Sequence, residues 1–300
     1  MTESVKLRVA ILGTGNIGTD LLYKLLRLKT ATVVAFVGRR PSTKALPEGV
    51  QYFDNSIDHF VQHPHCCDIV FDCTDAYSAV AHARVFQAQN ITVIDLTPSH
   101  VGQFCVPNVN CHFLLHMNNI NMVTCGGQVA IPLLKYLSSR CVISYAEVIS
   151  QISAESAGMA TRINVDKYIE TTEQAIKALV GISNCKVILN INPCETTAMQ
   201  TTVFLKASPG SFDDFESFVA QMRSYVPTYE VTALPTFDPV RRILMVSVKI
   251  MGVGDYLSKY AGNLDVINCA AIELTQKIAL LRTENKTPKV TNSYNVVLDI

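Results

Sequence analysis

Val5-Lys-Leu-Arg-Val-Ala-Ile-Leu12 alternates polar and apolar positions and then becomes wholly apolar, which predicts a strand entering a buried sheet. Gly13-Thr-Gly15-Asn-Ile-Gly18 follows at once. From Asp20 to Leu28 the apolar residues Leu21, Leu22, Leu25 and Leu26 share one helical face. Thr32–Val37 reads as a second strand. Asp68–Asp72, Ile91–Asp95 and Ile120–Val123 are further short apolar runs, and Ala79–Gln89 between two of them has helical composition. Strands alternating with helices over this span predict a parallel, doubly wound sheet.

The rhythm changes after residue 135. Val142–Ile152, Lys186–Ile191, Thr201–Lys206, Glu230–Leu234 and Ile243–Met251 are strand-like; Val165–Val180 and Ser211–Tyr225 are helix-like, with Ser211–Asp214 as an N-cap region. Long strands with two intervening helices predict an α+β second domain. The expected division is a first domain over 1–130 and a second over 131–263. A helix over 264–282 is expected to pack back on the first domain, ahead of a tail at 283–300 that is loose or an edge strand.

Composition sharpens this picture. A chain of 300 residues, 49% hydrophobic and 17% charged, has room for two buried cores. Lys+Arg and Asp+Glu balance at 25 each, so no strong attraction to nucleic acid or to anionic membrane is expected. No apolar run reaches the roughly 18 residues that span a bilayer, and the N-terminus lacks a signal-peptide layout. The 10 cysteines are scattered through apolar segments, as at Cys73, Cys105, Cys141 and Cys269, which suits reduced thiols and a cytoplasmic setting. Cys66 and Cys67 lie near His63 and His65, but no second ligand pair at zinc spacing follows, so no metal site is expected.

Two segments carry chemistry. The glycine segment follows a strand and opens a helix, the context that gives a dinucleotide fingerprint its meaning. Gly13 would make the tight turn, Gly15 would let a pyrophosphate approach the backbone, and Gly18 would allow close helix–strand packing. After the second strand, where NAD enzymes usually place an acidic residue, the chain has Gly38-Arg39-Arg40-Pro-Ser42. Arg39 and Arg40 suit the 2′-phosphate of NADP, so use of NADP at least as well as NAD is expected; a solvated basic turn is the alternative.

The second segment is Met122-Val-Thr-Cys125-Gly-Gly-Gln128-Val-Ala-Ile-Pro132. A helix is predicted from Ile131 to Leu137, with Pro132 in its first turn, where the missing N–H does no harm. Cys125 would then sit beside a helix N-terminus, whose free N–H groups lower a thiol's pKa and hold an oxyanion. A buried structural cysteine is the alternative. Among the histidines, only His100 lies near the presumed cleft.

These motifs line up with a family. The glycine segment through Asp20, Asp95-Leu-Thr-Pro98, Cys105-Val-Pro107, Asn121 to Gln128, Ser156-Ala-Gly158, Thr161-Arg162 and Tyr260-Ala-Gly-Asn263-Leu-Asp265 occur in order. Together they closely resemble acylating acetaldehyde dehydrogenase, the partner of 4-hydroxy-2-oxovalerate aldolase. The resemblance runs over roughly residues 5–280. It implies a Rossmann-type first domain, a second domain for catalysis and homo-oligomerisation, and oxidation of a small aldehyde to acyl-coenzyme A with a nicotinamide cofactor. Its catalytic cysteine matches Cys125. Its cofactor contacts match Thr14, Asn16 and Ile17 within the glycine loop, Ser156, Ala157, Gly158, Thr161, Arg162 and Asn164 beyond it, and Asn263. Gln128 would position or polarise the carbonyl, or else face solvent from the helix start.

Three departures bear on activity. The family's assisting aspartate falls on Thr201, with Glu195 a possible substitute; the acid after the second strand is replaced by Arg39 or Arg40; and Ala233–Arg242 is short, which would trim an aldolase-docking surface. Two other readings therefore stay open. One is a semialdehyde dehydrogenase whose second nucleophile is water or phosphate; the other is a catalytically inactive cofactor-binding regulator.

Overall fold

The computed structural model describes residues 6–39, 46–194 and 197–286. Chain order is β1 (Leu7–Leu12), α1 (Asn16–Leu26), β2 (Ala31–Val37), β3 (Tyr52–Phe53), α2 (Asp58–Gln62), β4 (Ile69–Asp72), α3 (Ala76–Ala88), β5 (Thr92–Asp95), β6 (Gln103–Phe104), α4 (Cys111–Leu114) and β7 (Asn119–Asn121). The second half continues with α5 (Cys125–Ser138), β8 (Ile143–Ser153), α6 (Met159–Ile163), α7 (Val165–Val180), β9 (Cys185–Asn192) and β10 (Met199–Ala207). It ends with α8 (Phe215–Arg223), β11 (Tyr229–Asp238), β12 (Ile243–Ile250) and α9 (Gly262–Lys286).

Among the described residues, seven strands form a parallel sheet in the order β3-β2-β1-β4-β5-β7-β6. The continuous apolar runs are its central strands: Val9 to Ile11 and Ile69 to Phe71 are fully buried, because helices cover both faces. A second, five-stranded sheet has the order β11-β12-β10-β8-β9, antiparallel except for the β8–β9 pair. Its strands alternate buried and open positions, as in the β10 sequence Met199 to Ala207, so one face packs on helices and the other is free. This is the α/β fold with an α+β second unit expected from the pattern.

Two helices link the sheets. Helix α5 starts six residues before the expected first helical residue, so the boundary placed at 130 falls inside it. Pro132 is consequently in the helix interior, not in the first turn as expected. Helix α9 returns to α1: Lys24 Nζ meets Asp265 Oδ1 at 2.6 Å, Asp255 Oδ2 at 2.6 Å and Asp20 Oδ2 at 3.0 Å. Asn268 Nδ2 donates to Asp20 Oδ2 at 2.9 Å and to the Ile17 carbonyl at 3.2 Å. Asp214 heads α8 without capping it through its side chain; the carboxylate is taken by Arg140 and Tyr136 instead. No helix among the described residues is long and apolar enough to cross a membrane. Arg40, Glu195 and the tail from residue 287 lie outside the described residues.

Candidate active site

The glycine segment joins β1 to α1 at the carboxyl edge of the parallel sheet, where such folds bind ligands. Gly13 has φ +109°, and a Cβ there would stand 2.6 Å from the Cys73 carbonyl oxygen, so no other residue fits the turn. A Cβ on Gly18 would meet the Gly13 carbonyl oxygen at 1.9 Å, which is why α1 lies so close to the turn. Gly15 is different: nothing lies within 4 Å of its Cβ position, and as N-cap it offers no side chain to the first-turn amides of α1. Open space above unclaimed N–H groups fits a dinucleotide pyrophosphate. Thr14 and Ile17 are half-buried and Asn16 is exposed around that space.

Gly38 follows β2 and is buried; a Cβ there would meet Tyr52 Oη at 2.6 Å and Thr14 Oγ1 at 2.8 Å. Arg39 is exposed beside it; nearby, Asp75, the N-cap of α3, is held below its ordinary pKa against partial burial by the N–H and hydroxyl of Ser78 and the N–H of Tyr77, with Arg39 adding the smallest share.

Cys125 opens α5 at the same edge, immediately beyond β7. Thr124 caps the helix, its Oγ1 accepting from Gly127 N at 2.9 Å and pairing with Thr172 Oγ1 at 2.7 Å. The thiol is only partly exposed. Desolvation pushes it up to about 11, against the opposing pull of the Tyr168 hydroxyl and the Gly126 N–H. The helix N-terminus was expected to lower this pKa; burial outweighs it. Tyr168, wholly within the core on α7, points its hydroxyl over Gly126, where a Cβ would stand 2.0 Å from Oη and 2.8 Å from Ser150 Oγ. Ser150 Oγ in turn pairs with Thr201 Oγ1 at 3.2 Å. A thiol, a phenol and two hydroxyls thus form one buried polar seam.

Gln128 is fully buried. Its Nε2 donates to the Met122 carbonyl at 2.7 Å and to the Cys105 carbonyl at 2.8 Å. The solvent-facing alternative is thereby corrected: the side chain is buried, with both amide hydrogens committed to backbone carbonyls.

The third group of expected residues lies between β8 and α7. Ser156 and Ala157 are buried, Ser156 Oγ donating to the Ser153 carbonyl at 2.9 Å. Arg162 is exposed and spends its guanidinium on the Ala157 and Ala154 carbonyls, holding the loop closed. Gly158 faces open space, Thr161 is half-buried on α6, and Asn164 is buried at the head of α7. Asn263 is 2% exposed at the start of α9, and its Oδ1 has no hydrogen-bond partner among the described residues. A buried acceptor without a donor costs about 1–3 kcal/mol, and a carboxamide N–H of the kind a nicotinamide carries would relieve it.

Comparison with known proteins settles the kinship. Residues 125–258 match the family model "Prokaryotic acetaldehyde dehydrogenase, dimerisation", and residues 8–114 match "Semialdehyde dehydrogenase, NAD binding domain". The chain is 43% identical to an acetaldehyde dehydrogenase of Pectobacterium atrosepticum, over 92% of this chain and 97% of that one. It is 46% identical to one from Spirochaeta aurantia, over 91% and 95% respectively. The chain belongs to the acetaldehyde dehydrogenase family. Its fold is also that of aspartate semialdehyde dehydrogenase II from Vibrio cholerae, with TM-score 0.69 at 14% identity, covering 93% of this chain and 99% of that one.

Membership of the acetaldehyde dehydrogenase family makes the chain an oxidoreductase with an NAD(P)-binding first domain. Thr201 lies 1% exposed beside Ser150, so the position read as the family's aspartate does abut the Cys125 surroundings, though with a hydroxyl in place of a carboxylate. Tyr168 and Ser150 escaped the sequence reading because they come from α7 and β8, distant in sequence from Cys125. Also missed was a buried chain of carboxylates: Asp72 Oδ2 meets His82 Nδ1 at 2.8 Å, and Asp95 is pushed up to about 7 by burial and by the charge of Asp72.

Proposed function

We propose that this protein is an acylating aldehyde dehydrogenase that converts a short aldehyde, coenzyme A and NAD(P)+ into acyl-coenzyme A and NAD(P)H. The observation that carries the reading is the Cys125 thiol at the capped head of α5, under the Tyr168 hydroxyl and at the edge of the sheet that bears the glycine loop. Gly13 to Gly18 would hold the pyrophosphate, and Asn263, with Ser156, Ala157, Gly158, Thr161, Arg162 and Asn164 framing the cleft, would hold the nicotinamide end. When bound, the nicotinamide cofactor supplies a hydride acceptor.

The Cys125 thiolate attacks the aldehyde carbon, forming a C–S bond and a thiohemiacetal oxyanion. The Gly126 N–H and the Tyr168 hydroxyl, which already favour negative charge on the sulfur, would donate to that oxyanion. Loss of hydride from the same carbon leaves a thioester on Sγ. The coenzyme A thiolate then adds to the thioester carbonyl, the C–S bond to Cys125 breaks, and the thiolate is regenerated. Gln128 and Thr124 hold the loop during these steps.

Arg39, exposed after β2 where NAD enzymes usually carry an acid, supports use of NADP at least as well as NAD. The dimerisation match and the free face of the second sheet support a homodimer, and the ten free cysteines support a reducing, cytoplasmic setting. By family resemblance, the protein partner to test is an aldolase that delivers the aldehyde.

The test is coenzyme A-dependent NAD(P)H formation across short, branched and aromatic aldehydes, with intact-protein mass spectra taken before coenzyme A is added. A short aldehyde should give turnover and an acyl adduct on Cys125, both lost in Cys125→Ser. Turnover that needs phosphate or water in place of coenzyme A would replace this reading with the semialdehyde dehydrogenase one. Absence of both turnover and adduct, with cofactor binding retained, would favour the regulator.

A further inference from the structure

Val123, two residues before Cys125, has φ +61°, a conformation that a β-branched side chain rarely adopts. It is wholly buried, with its Cγ1 so near Gly127 that a Cβ there would stand 2.6 Å away. Strain of this kind persists only where the surroundings over-determine it. Here the constraint is explicit. Asn121 ends β7, is fully buried, and accepts from Val123 N through Oδ1 at 2.9 Å. Its Nδ2 donates to Asp95 Oδ2 at 3.0 Å and to the Thr97 carbonyl at 3.0 Å. Asp95 is the register partner of Asn121 on the neighbouring strand, and is fixed by Thr97 N at 2.7 Å and by the Ser99 hydroxyl. Downstream, Thr124 is already the extended N-cap residue of α5.

We propose that Asn121 is a positioning residue for the nucleophile. Oriented by Asp95, it holds the Val123 peptide in its left-handed turn, so that the chain reverses within two residues and presents the Cys125 sulfur at the sheet edge. The inference rests on the assignment of Cys125 as the nucleophile, but its central readout does not. That readout is the iodoacetamide alkylation rate of Cys125, followed by peptide mass spectrometry, which reports the presentation of the sulfur whether or not the thiol turns over.

The experiment compares the full-length wild type, Asn121→Ala, Asn121→Asp and Val123→Gly with the double variant Asn121→Ala/Val123→Gly. Glycine adopts φ +61° without strain, so it should hold the turn without the asparagine. N121A should slow both Cys125 alkylation and kcat tenfold or more, with NAD(P)H affinity within twofold of wild type. Adding V123G should restore at least threefold of each loss, a rescue that a merely structural role for Asn121 would not give. N121D keeps the accepting oxygen but turns a second carboxylate oxygen towards Asp95 and the Thr97 carbonyl, so it should also slow alkylation tenfold or more; if N121A is not recovered folded, alkylation of the double variant within threefold of wild type decides the matter. Unchanged alkylation in N121A, no recovery in the double variant, or N121D alkylated as fast as wild type would each overturn the proposal. If alkylation follows this pattern while Cys125→Ser retains turnover, the nucleophile assignment fails and the positioning role stands.

Discussion

The thiol of Cys125 is held in a contest between burial, which favours the neutral form, and the Tyr168 hydroxyl and Gly126 amide, which favour the anion. Burial prevails in the free protein. A thiol pushed up to about 11 has little thiolate at neutral pH, so Cys125 alkylation should climb close to tenfold per pH unit from 7 to 9. Tyr168→Phe removes a donor to the anion and leaves the burial in place. Its alkylation profile should therefore move to still higher pH, and kcat at pH 7.5 should fall about tenfold, consistent with roughly 1.5 kcal/mol for a hydrogen bond to a charged group. Stopped-flow alkylation and steady-state assays would check both. At the other end of the cleft, Arg39→Ala should raise KM for NADP by tenfold or more and leave KM for NAD within about twofold, because its guanidinium would have only the extra phosphate to grip.

At the scale of elements, the sequence was most legible where pattern and burial coincide. The continuous apolar runs became β1, β2, β4 and β5, and the alternating runs became the strands of the second sheet. It misled where tertiary packing overrides local preference. Gly126 and Gly127 argue against a helix by propensity, so the expected start was Ile131. The helix nevertheless begins at Cys125, because Tyr168 occupies the space over the first glycine and Val123 the space over the second. The same logic divides the site. Cys125 and the glycine loop could be read because their meaning lies in adjacent residues; Tyr168, Ser150 and Asn268 could not, because only the fold brings them there. β3, α2, β6, α4 and α6 are too short to leave a periodic signature. Gly126→Ala tests the packing account: the methyl must displace the phenol, so kcat should fall at least tenfold with a stability loss of about 1–3 kcal/mol in urea unfolding.

For the molecule as a whole, the glycine loop and Asn263 belong to distant segments that meet through α1 and α9. The contact is ionic and buried. Lys24, 7% exposed, faces three carboxylates, and Arg27 joins it on Asp255, whose pKa falls to about 2. Lys24→Met should destabilise the fold by about 3–5 kcal/mol, since it strands buried carboxylates. The depressed Asp255 supplies stability that is present above its unfolded pKa near 4 and is lost as pH falls towards 2, so acid unfolding of the wild type should begin within that window. Urea melts across pH would show both effects. Cofactor at about 100 times its Kd should add roughly 2.7 kcal/mol of stability, which a shift in Tm would report.

The Lys24 cluster also has a consequence for synthesis. Helix α1 holds one partner of its buried cation itself, at Asp20, and finds the other two on the loop before α9 and on α9, at Asp255 and Asp265. While the ribosome is still making the intervening segments, the outer side of α1 stays wet and its lysine solvated. The nucleotide-binding half, although translated first, would then be sealed last, and a nascent chain stopped before residue 255 should be open to proteases at α1.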